Sequence, residues 1–257
     1  MSLSNSWARR IGAGLYKGAF PIYRQLYSAF KRYADRAERN ILVERLSAGC
    51  IAVDAGANIG IYSRFLARCV GPAGSVHSFE PSPDNFARLA AGLAKFPNVH
   101  LNQLAVSDTT GESALYVSDE LNVDHRAYQT EGEPRKGITI QSIRLDDYFK
   151  PGERVDLIKM DIQGFELHAL RGASRVLADN PGIMILLEFW PYGLKCAGVS
   201  AEDLLGFLRE KGFRYFLVTN AGLTPGPDRW EGAVEPATYF NLFAQPATSV
   251  NQNVSDR

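Results

Sequence analysis

From residue 50 onward, apolar runs of strand length alternate with stretches of helical period, the pattern of a parallel sheet wrapped by helices. Seven strands are predicted, over 50–55, 75–80, 99–106, 155–162, 183–189, 215–219 and 239–244. Between them, Ile59, Tyr62, Leu66 and Cys69 mark one helical stripe, and Phe86, Leu89 and Leu93 mark the next, which starts at Ser82 and Pro83. Later helices are predicted near 165–177 and 201–211, the second closed by Gly212. Residues 111–117 and 138–143 read as an extra pair of strands. They flank a polar stretch, 118–137, whose length and loop character suit a lid.

Ahead of the sheet, Tyr23, Leu26, Tyr27, Phe30, Ala34, Ala37, Ile41 and Leu42 fall on one helical face. A structural cap packed on the main domain is the first reading of this piece; a membrane-surface or partner-binding helix is the alternative. The chain thus divides into an N-terminal basic amphipathic extension (1–45), an α/β domain (46–245) and a solvated tail (246–257).

At 257 residues and 46% hydrophobic, the chain can bury one large core. Its zero net charge hides an asymmetry: the first 45 residues hold nine Lys/Arg against three Asp/Glu, leaving +6 there and −6 elsewhere. No run approaches the ~18 apolar residues of a spanning helix. Lys17 interrupts the only stretch resembling a signal-peptide core, so a cytoplasmic protein is expected. Cys50, Cys69 and Cys196 are too far apart in sequence for a zinc knuckle or a redox pair and read as buried structural thiols.

Ligands of open α/β sheets bind beyond the carboxyl ends of the strands. Here those ends offer Asp54, Glu80, Ser107 with Asp108, Asp161 and Glu188. A row of carboxylates suits a cationic ligand and gives no support to a nucleic-acid substrate. Gly56 and Gly60 form a nucleotide-type turn, and Glu80, twenty residues past Gly60, is an acid placed to accept hydrogen bonds from a ribose. A dinucleotide fingerprint would place a glycine where Asn58 stands, and Asp54 beside the turn would repel a pyrophosphate. S-adenosylmethionine, with a sulfonium, an ammonium and no phosphate, is favoured over a nicotinamide cofactor. An NAD-dependent oxidoreductase and a non-catalytic, cofactor-binding or membrane-recruited module remain the alternatives.

"VDAGANIGIYS" (53–63), "FEP" (79–81), "AVSD" (105–108), "LDDYF" (145–149) and "DLIKMDIQGFELHALRGA" (156–173) together resemble the FkbM family of S-adenosylmethionine-dependent methyltransferases. The similarity runs in order and spacing over about residues 44–189. It implies a Rossmann-like class I methyltransferase fold, a seven-stranded, mostly parallel sheet with an antiparallel last strand. It also implies O-methylation of a hydroxyl on a sugar, glycan or natural-product small molecule. By motif, Asp54, Gly56, Asn58 and Gly60 would surround the methionine half of the cofactor, Glu80 would take the ribose, and Ser107 with Asp108 would flank the adenine. Gln163 stands where the family pattern D-V-E-G-x-E has an acid.

An alcohol loses its proton as it takes a methyl group, and a positioned base helps. Asp161, closing the fourth strand, is the first candidate for base or orienting group, with Lys159 on the same strand face as its ion-pair partner. His125, in the 118–137 loop beside Asp124 and Arg126, is the histidine able to swing over the cleft. Glu188, ahead of Phe189, Trp190, Pro191 and Tyr192, would shape the acceptor pocket. Asp161 and Glu188 lack a convincing third ligand beside Gln163, so no metal is expected.

Overall fold

The strand β7 (Leu157–Met160) is buried along its whole length, and β1 (Ile51–Ala55) is buried from Ala52 onward. Unbroken apolar strands of this kind need helices on both faces, and the computed structural model supplies them. It describes residues 6–118, 124–130, 135–232 and 234–247. Three N-terminal helices, α1 (Ser6–Gly18), α2 (Phe20–Ala34) and α3 (Arg36–Arg45), precede β1. Then follow α4 (Ile61–Val70), β2 (Ser75–Phe79), α5 (Pro83–Leu93), β3 (Val99–Asn102), β4 (Ala105–Val106), β5 (Gly111–Val117), β6 (Lys136–Ile143) and α6 (Leu145–Tyr148). After β7 come α7 (Glu166–Arg171), α8 (Ser174–Asp179), β8 (Met184–Phe189), α9 (Pro191–Cys196), α10 (Ala201–Glu210), β9 (Phe213–Thr219), β10 (Gly222–Pro225) and β11 (Phe240–Pro246).

The main sheet has the order β10-β9-β11-β8-β7-β1-β2-β3. Neighbours from β8 to β3 run parallel, and β11 lies antiparallel between β8 and β9. One face packs Val53, Ile158, Met160 and Leu187 with Leu167, Leu204 and Leu208. The other packs Ala52, Leu157, Leu186 and Phe243 with Leu42, Leu66 and Val70. The chain winds outward in both directions from the β1–β7 pair, the topological switch point where such sheets bind ligands.

Four details differ from the sequence pattern. The short antiparallel strand β10 adds an eighth member at the edge beside β9. The run 99–106 divides, its last two residues leaving the main sheet to pair with β6 in a separate sheet of order β4-β6-β5. The helix expected over 165–177 breaks in two at Gly172, where a Cβ would lie 2.0 Å from the Ser107 carbonyl oxygen. The single face predicted over 23–42 is split between α2 and α3: α3 buries Glu38, Ile41 and Leu42, whereas no residue of α2 is fully buried.

Gly212, at φ +78, follows Lys211 at the end of α10, whose start carries a capping box of Ser200 and Asp203. Of the expected lid, 119–123 and 131–134 lie outside the described residues, as do residues 248–257 of the expected tail. The described part of that loop is packed down: Arg126 is buried, ion-paired to Asp124, and set over the Trp190 ring.

Candidate active site at the β1–β7 switch point

Beyond β1 the chain turns through Gly56 (φ +78), Asn58 (φ +51) and Gly60 (φ +81). A Cβ on Gly56 would sit 2.0 Å from the Asp161 carbonyl oxygen, so the turn can lie against the end of β7 only with glycine there. Glu80 ties the turn to β2: its Oε2 accepts from Asn58 N at 2.8 Å and its Oε1 from Ser82 N at 3.0 Å. The loop after β7 is built similarly. Gln163 is held at φ +56, and Glu166 Oε1 accepts from Ile162 N at 3.1 Å and Gly164 N at 3.3 Å. Asn58 and Gln163 are the non-glycine residues at positive φ among those described, and both line one cleft. Backbone strain of this kind collects at functional sites.

That cleft spans about 700 Å³, part of it open to solvent. Gly56, Asn58, Glu80, Ser107, His125 and Asp161 line it, and Leu115, Ile140 and Phe165 give it apolar walls. A second cavity, about 430 Å³, is lined by Tyr27, Lys31, Tyr62 and Lys159 and shares Gly56, Asn58 and Asp161 with the first. Asp161 therefore stands where the two spaces meet.

Four of the residues singled out in the sequence lie elsewhere. Asp54 is wholly buried, with Oδ1 3.2 Å from Lys159 Nζ and Oδ2 accepting from Ser63 Oγ at 2.7 Å. The cation beside it is a lysine of this chain. The Lys159 partner is thus Asp54, opposite it in the β1–β7 register, rather than Asp161 on its own strand. Gly60 packs α4 against Leu89 and Leu93 of α5. Asp108 turns to His168, whose Nδ1 lies 2.7 Å from its Oδ2. Glu188 lines neither cavity and meets the site through Gln163. His125 lines the larger cavity and not the smaller, and its Nδ1 accepts from Ser118 N at 3.1 Å.

The electrostatics separate the two strand-tip acids. Burial opposes ionisation of Asp161, but Lys159, Lys31 and the Gln163 amide outweigh it and hold its carboxyl below the usual range. Burial, reinforced by Asp161 and Glu166, pushes Glu188 well up. Burial also lifts Glu80 and Glu166 to about 7 each. Among the described residues, no three His, Cys, Asp or Glu gather as a metal ion would require.

Three contributors escaped the sequence reading. The Gln163 amide, read there as a lost acid, is a donor aimed at two acids. Tyr128 hands its hydroxyl to the Gln163 carbonyl at 2.7 Å, pinning the loop after β7. Lys31 reaches the second cavity from α2; its place one turn after Tyr27 was the available signal.

The residues present suit an adenosine cofactor bearing a cation. Glu80 keeps lone pairs beyond its two backbone bonds. The Gly56 cradle admits a ligand where a Cβ would block it, and the ionised Asp161 faces the same space.

A parallel sheet wound from β1 in both directions, with reversed β11 inserted between β8 and β9, is the Rossmann-like architecture of the class I methyltransferases. The chain belongs to the FkbM family of these S-adenosylmethionine-dependent enzymes: the model of the methyltransferase FkbM domain matches residues 54–215. It is 26% identical over 175 residues to the hexuronic acid methyltransferase AglP of Haloferax volcanii, a match covering 66% of each chain. It is 28% identical over 208 residues to the methyltransferase sdnD of Sordaria araneosa, covering 66% of this chain and 76% of that one. To the 2-O-methyltransferase NoeI of Sinorhizobium fredii it is 26% identical over 147 residues, covering 51% of this chain and 60% of that one.

Proposed function

We propose that this methyltransferase transfers its methyl group to a hydroxyl oxygen of a sugar, glycan or natural-product small molecule. The observation that carries this reading is the position of Asp161, an ionised carboxylate common to both cavities. The larger cavity, with Glu80 and the Gly56 turn, takes the cofactor, and the smaller takes the acceptor. Of two relatives, one named a hexuronic acid methyltransferase supports a sugar-type acceptor, and one named a 2-O-methyltransferase supports oxygen as the methylated atom.

When bound, the cofactor supplies a methyl group on a sulfonium, which departs as a neutral thioether. Glu80 would accept from the ribose hydroxyls, and Ser107 would border the adenine end. Asp161 would accept a hydrogen bond from the acceptor hydroxyl, orient its oxygen towards the cofactor's cavity, and take up its proton. Gln163 keeps Asp161 in place through a 3.0 Å bond to Oδ1. Glu188 lines neither cavity and acts on Asp161 through Gln163. Tyr27 and Tyr62 wall the acceptor side and limit water there.

The test is to incubate the protein with isotope-labelled S-adenosylmethionine and fractionated cell extract, alongside a panel of hydroxylated sugars. Labelled methyl ethers are expected as products. Asp161→Asn is expected to lower turnover by about a hundredfold or more. S-adenosylhomocysteine should still raise its melting temperature. Label found only on nitrogen or on a carboxylate, or full turnover by Asp161→Asn, would overturn the proposal.

A further inference from the structure

Helix α2 has two opposed faces. Tyr27 and Lys31 point inward to the smaller cavity, while Ile22, Leu26, Phe30 and Tyr33, spaced four, four and three apart, form a stripe on the outside. These four are 55%, 59%, 38% and 68% exposed, half of the large apolar side chains that stand open on the described surface. Such contiguous exposure marks an interaction surface, since scattered single residues would need no partner.

The helix is fixed in this orientation. Tyr16 of α1 donates to Asn85 Oδ1 at 2.7 Å, and Asn85 in turn hydrogen-bonds Glu80. The Arg88 guanidinium lies 4.0 Å and 4.1 Å from the ring centres of Tyr16 and Phe20. From Tyr16 an aromatic ladder runs through Tyr23 to Tyr27, with adjacent centroids 5.3 and 5.4 Å apart, and Phe30 at the edge of the stripe stacks on its outer end. The inner face is thus anchored, and the stripe cannot turn inward without breaking these contacts.

The charge around the stripe selects its partner. The first 34 residues contain six Lys/Arg (Arg9, Arg10, Lys17, Arg24, Lys31 and Arg32) and no acid; the first carboxylate, Asp35, is buried and paired with the inward-facing Lys31, which leaves the other five cations without an acid in this stretch of sequence. Lys17, in the last turn of α1, and Arg32, next to Tyr33 on α2, are exposed. An apolar stripe with an aromatic edge, set in a field of one sign, matches a negatively charged lipid surface, where the side chains enter the headgroup boundary and the cations meet lipid phosphates. No helix among the described residues is long and apolar enough to cross a membrane, so the contact is peripheral.

We infer that the outer face of α2 docks this protein on an anionic membrane surface through Ile22, Leu26, Phe30 and Tyr33, with Lys17 and Arg32 on the headgroups. The helix lying on the lipid is the one that supplies Tyr27 and Lys31 to the smaller cavity, which brings that cavity within one helix diameter of the bilayer.

The experiment is sedimentation of the full chain with vesicles of phosphatidylcholine alone and of phosphatidylcholine mixed three to one with phosphatidylglycerol. Binding to the anionic vesicles is expected to exceed binding to the neutral ones by about tenfold and to weaken as salt is raised. The double variant Ile22→Glu with Leu26→Glu should lose about tenfold or more in binding. Both positions are exposed, so its melting temperature should match that of the wild type. The inference is overturned if the wild type stays in the supernatant with anionic vesicles, or if the folded double variant sediments as well as the wild type. It is equally overturned if light scattering finds a dimer that the double variant converts to monomers, because the stripe is then a contact between copies.

Discussion

The side-chain amide nitrogen of Gln163 lies 3.1 Å from Oε2 of Glu188. The same nitrogen is 3.0 Å from Asp161 Oδ1, so one NH₂ group spans two strand-tip carboxyls. Its two protons suit a pair in which Asp161 is held below the usual carboxyl range and Glu188 is pushed above it. The amide thus does what an acid at this position could not, stabilising one charge without adding another.

Gln163→Glu should therefore be destabilising at neutral pH. It replaces two donated bonds with a third half-buried carboxyl, a change worth on the order of 1–3 kcal/mol. The new carboxyl would have a raised pKa in the folded state, so the variant regains stability as pH falls and loses it as pH rises. Three converging carboxyls should also make the variant, unlike the wild type, gain stability from magnesium. Urea denaturation at two pH values, with and without the ion, checks both; equal stability of variant and wild type at neutral pH would refute the argument.

The buried pair of Asp54 and Lys159 makes a second prediction. Burial lowers the lysine's pKa, but Asp54 and Asp161 outweigh it and leave it raised, so Lys159 keeps its charge. Lys159→Met strands a carboxylate with no exposure at all and should cost about 3–5 kcal/mol. Combining it with Asp54→Asn should recover a large part of that loss, since the stranded charge is gone. Urea midpoints of the two single variants and the double decide it; additive losses would mean the two side chains do not interact.

How much of this was legible in the sequence follows from what sequence periodicity records. Apolar runs gave β1, β2, β7 and β8 because both their faces are buried. They could not give β10, a short edge strand ending in exposed Pro225. Strand alternation placed Lys159 and Asp161 on one face, but Lys159 pairs across the sheet, and cross-strand register is not written in local spacing. The stripe of the N-terminal helices was visible, yet a hydrophobic period does not say which apolar residues find a partner: Leu42 does, Leu26 does not. The glycine turn and Glu80 were readable because their spacing is local. The role of Gln163 was not, because its partner Glu188 is twenty-five residues away on another strand.

Stability should fall as pH rises through neutrality, and Glu166 should be a main cause. Its carboxyl is raised to about 7 from an ordinary 4.5, chiefly by burial. A carboxyl whose folded pKa is raised contributes stability that is fully present below the unfolded value and is lost as pH climbs through the folded one. The size is on the order of 3 kcal/mol between about pH 5 and about pH 8. Glu80, also raised to about 7, adds in the same direction. Glu166→Gln keeps an acceptor for the Ile162 and Gly164 amides and removes the titration, so its melting temperature should vary less with pH than that of the wild type. A melting profile in which variant and wild type run parallel across that range would exclude Glu166 as the cause.

The turn at Asn58 gives the last prediction. At φ +51 an alanine costs about 1 kcal/mol and a β-branched residue more, while glycine is free of that cost. Asn58 offsets its own cost because its Oδ1 accepts from Ile59 N at 2.8 Å. Its backbone amide must also stay aimed at Glu80 Oε2, the acid expected to take the ribose. If cofactor affinity depends on that aim, the melting shift produced by S-adenosylhomocysteine should rank wild type and Asn58→Gly highest, then Asn58→Ala, with Asn58→Val lowest. Stability without ligand should follow a different order, because glycine gives up the Oδ1 bond and adds unfolded-state entropy. Scanning fluorimetry with and without S-adenosylhomocysteine separates the two rankings. A full ligand shift in Asn58→Val would show that the left-handed turn serves only the fold, whereas loss of the shift with the fold intact assigns the strained conformation to cofactor binding.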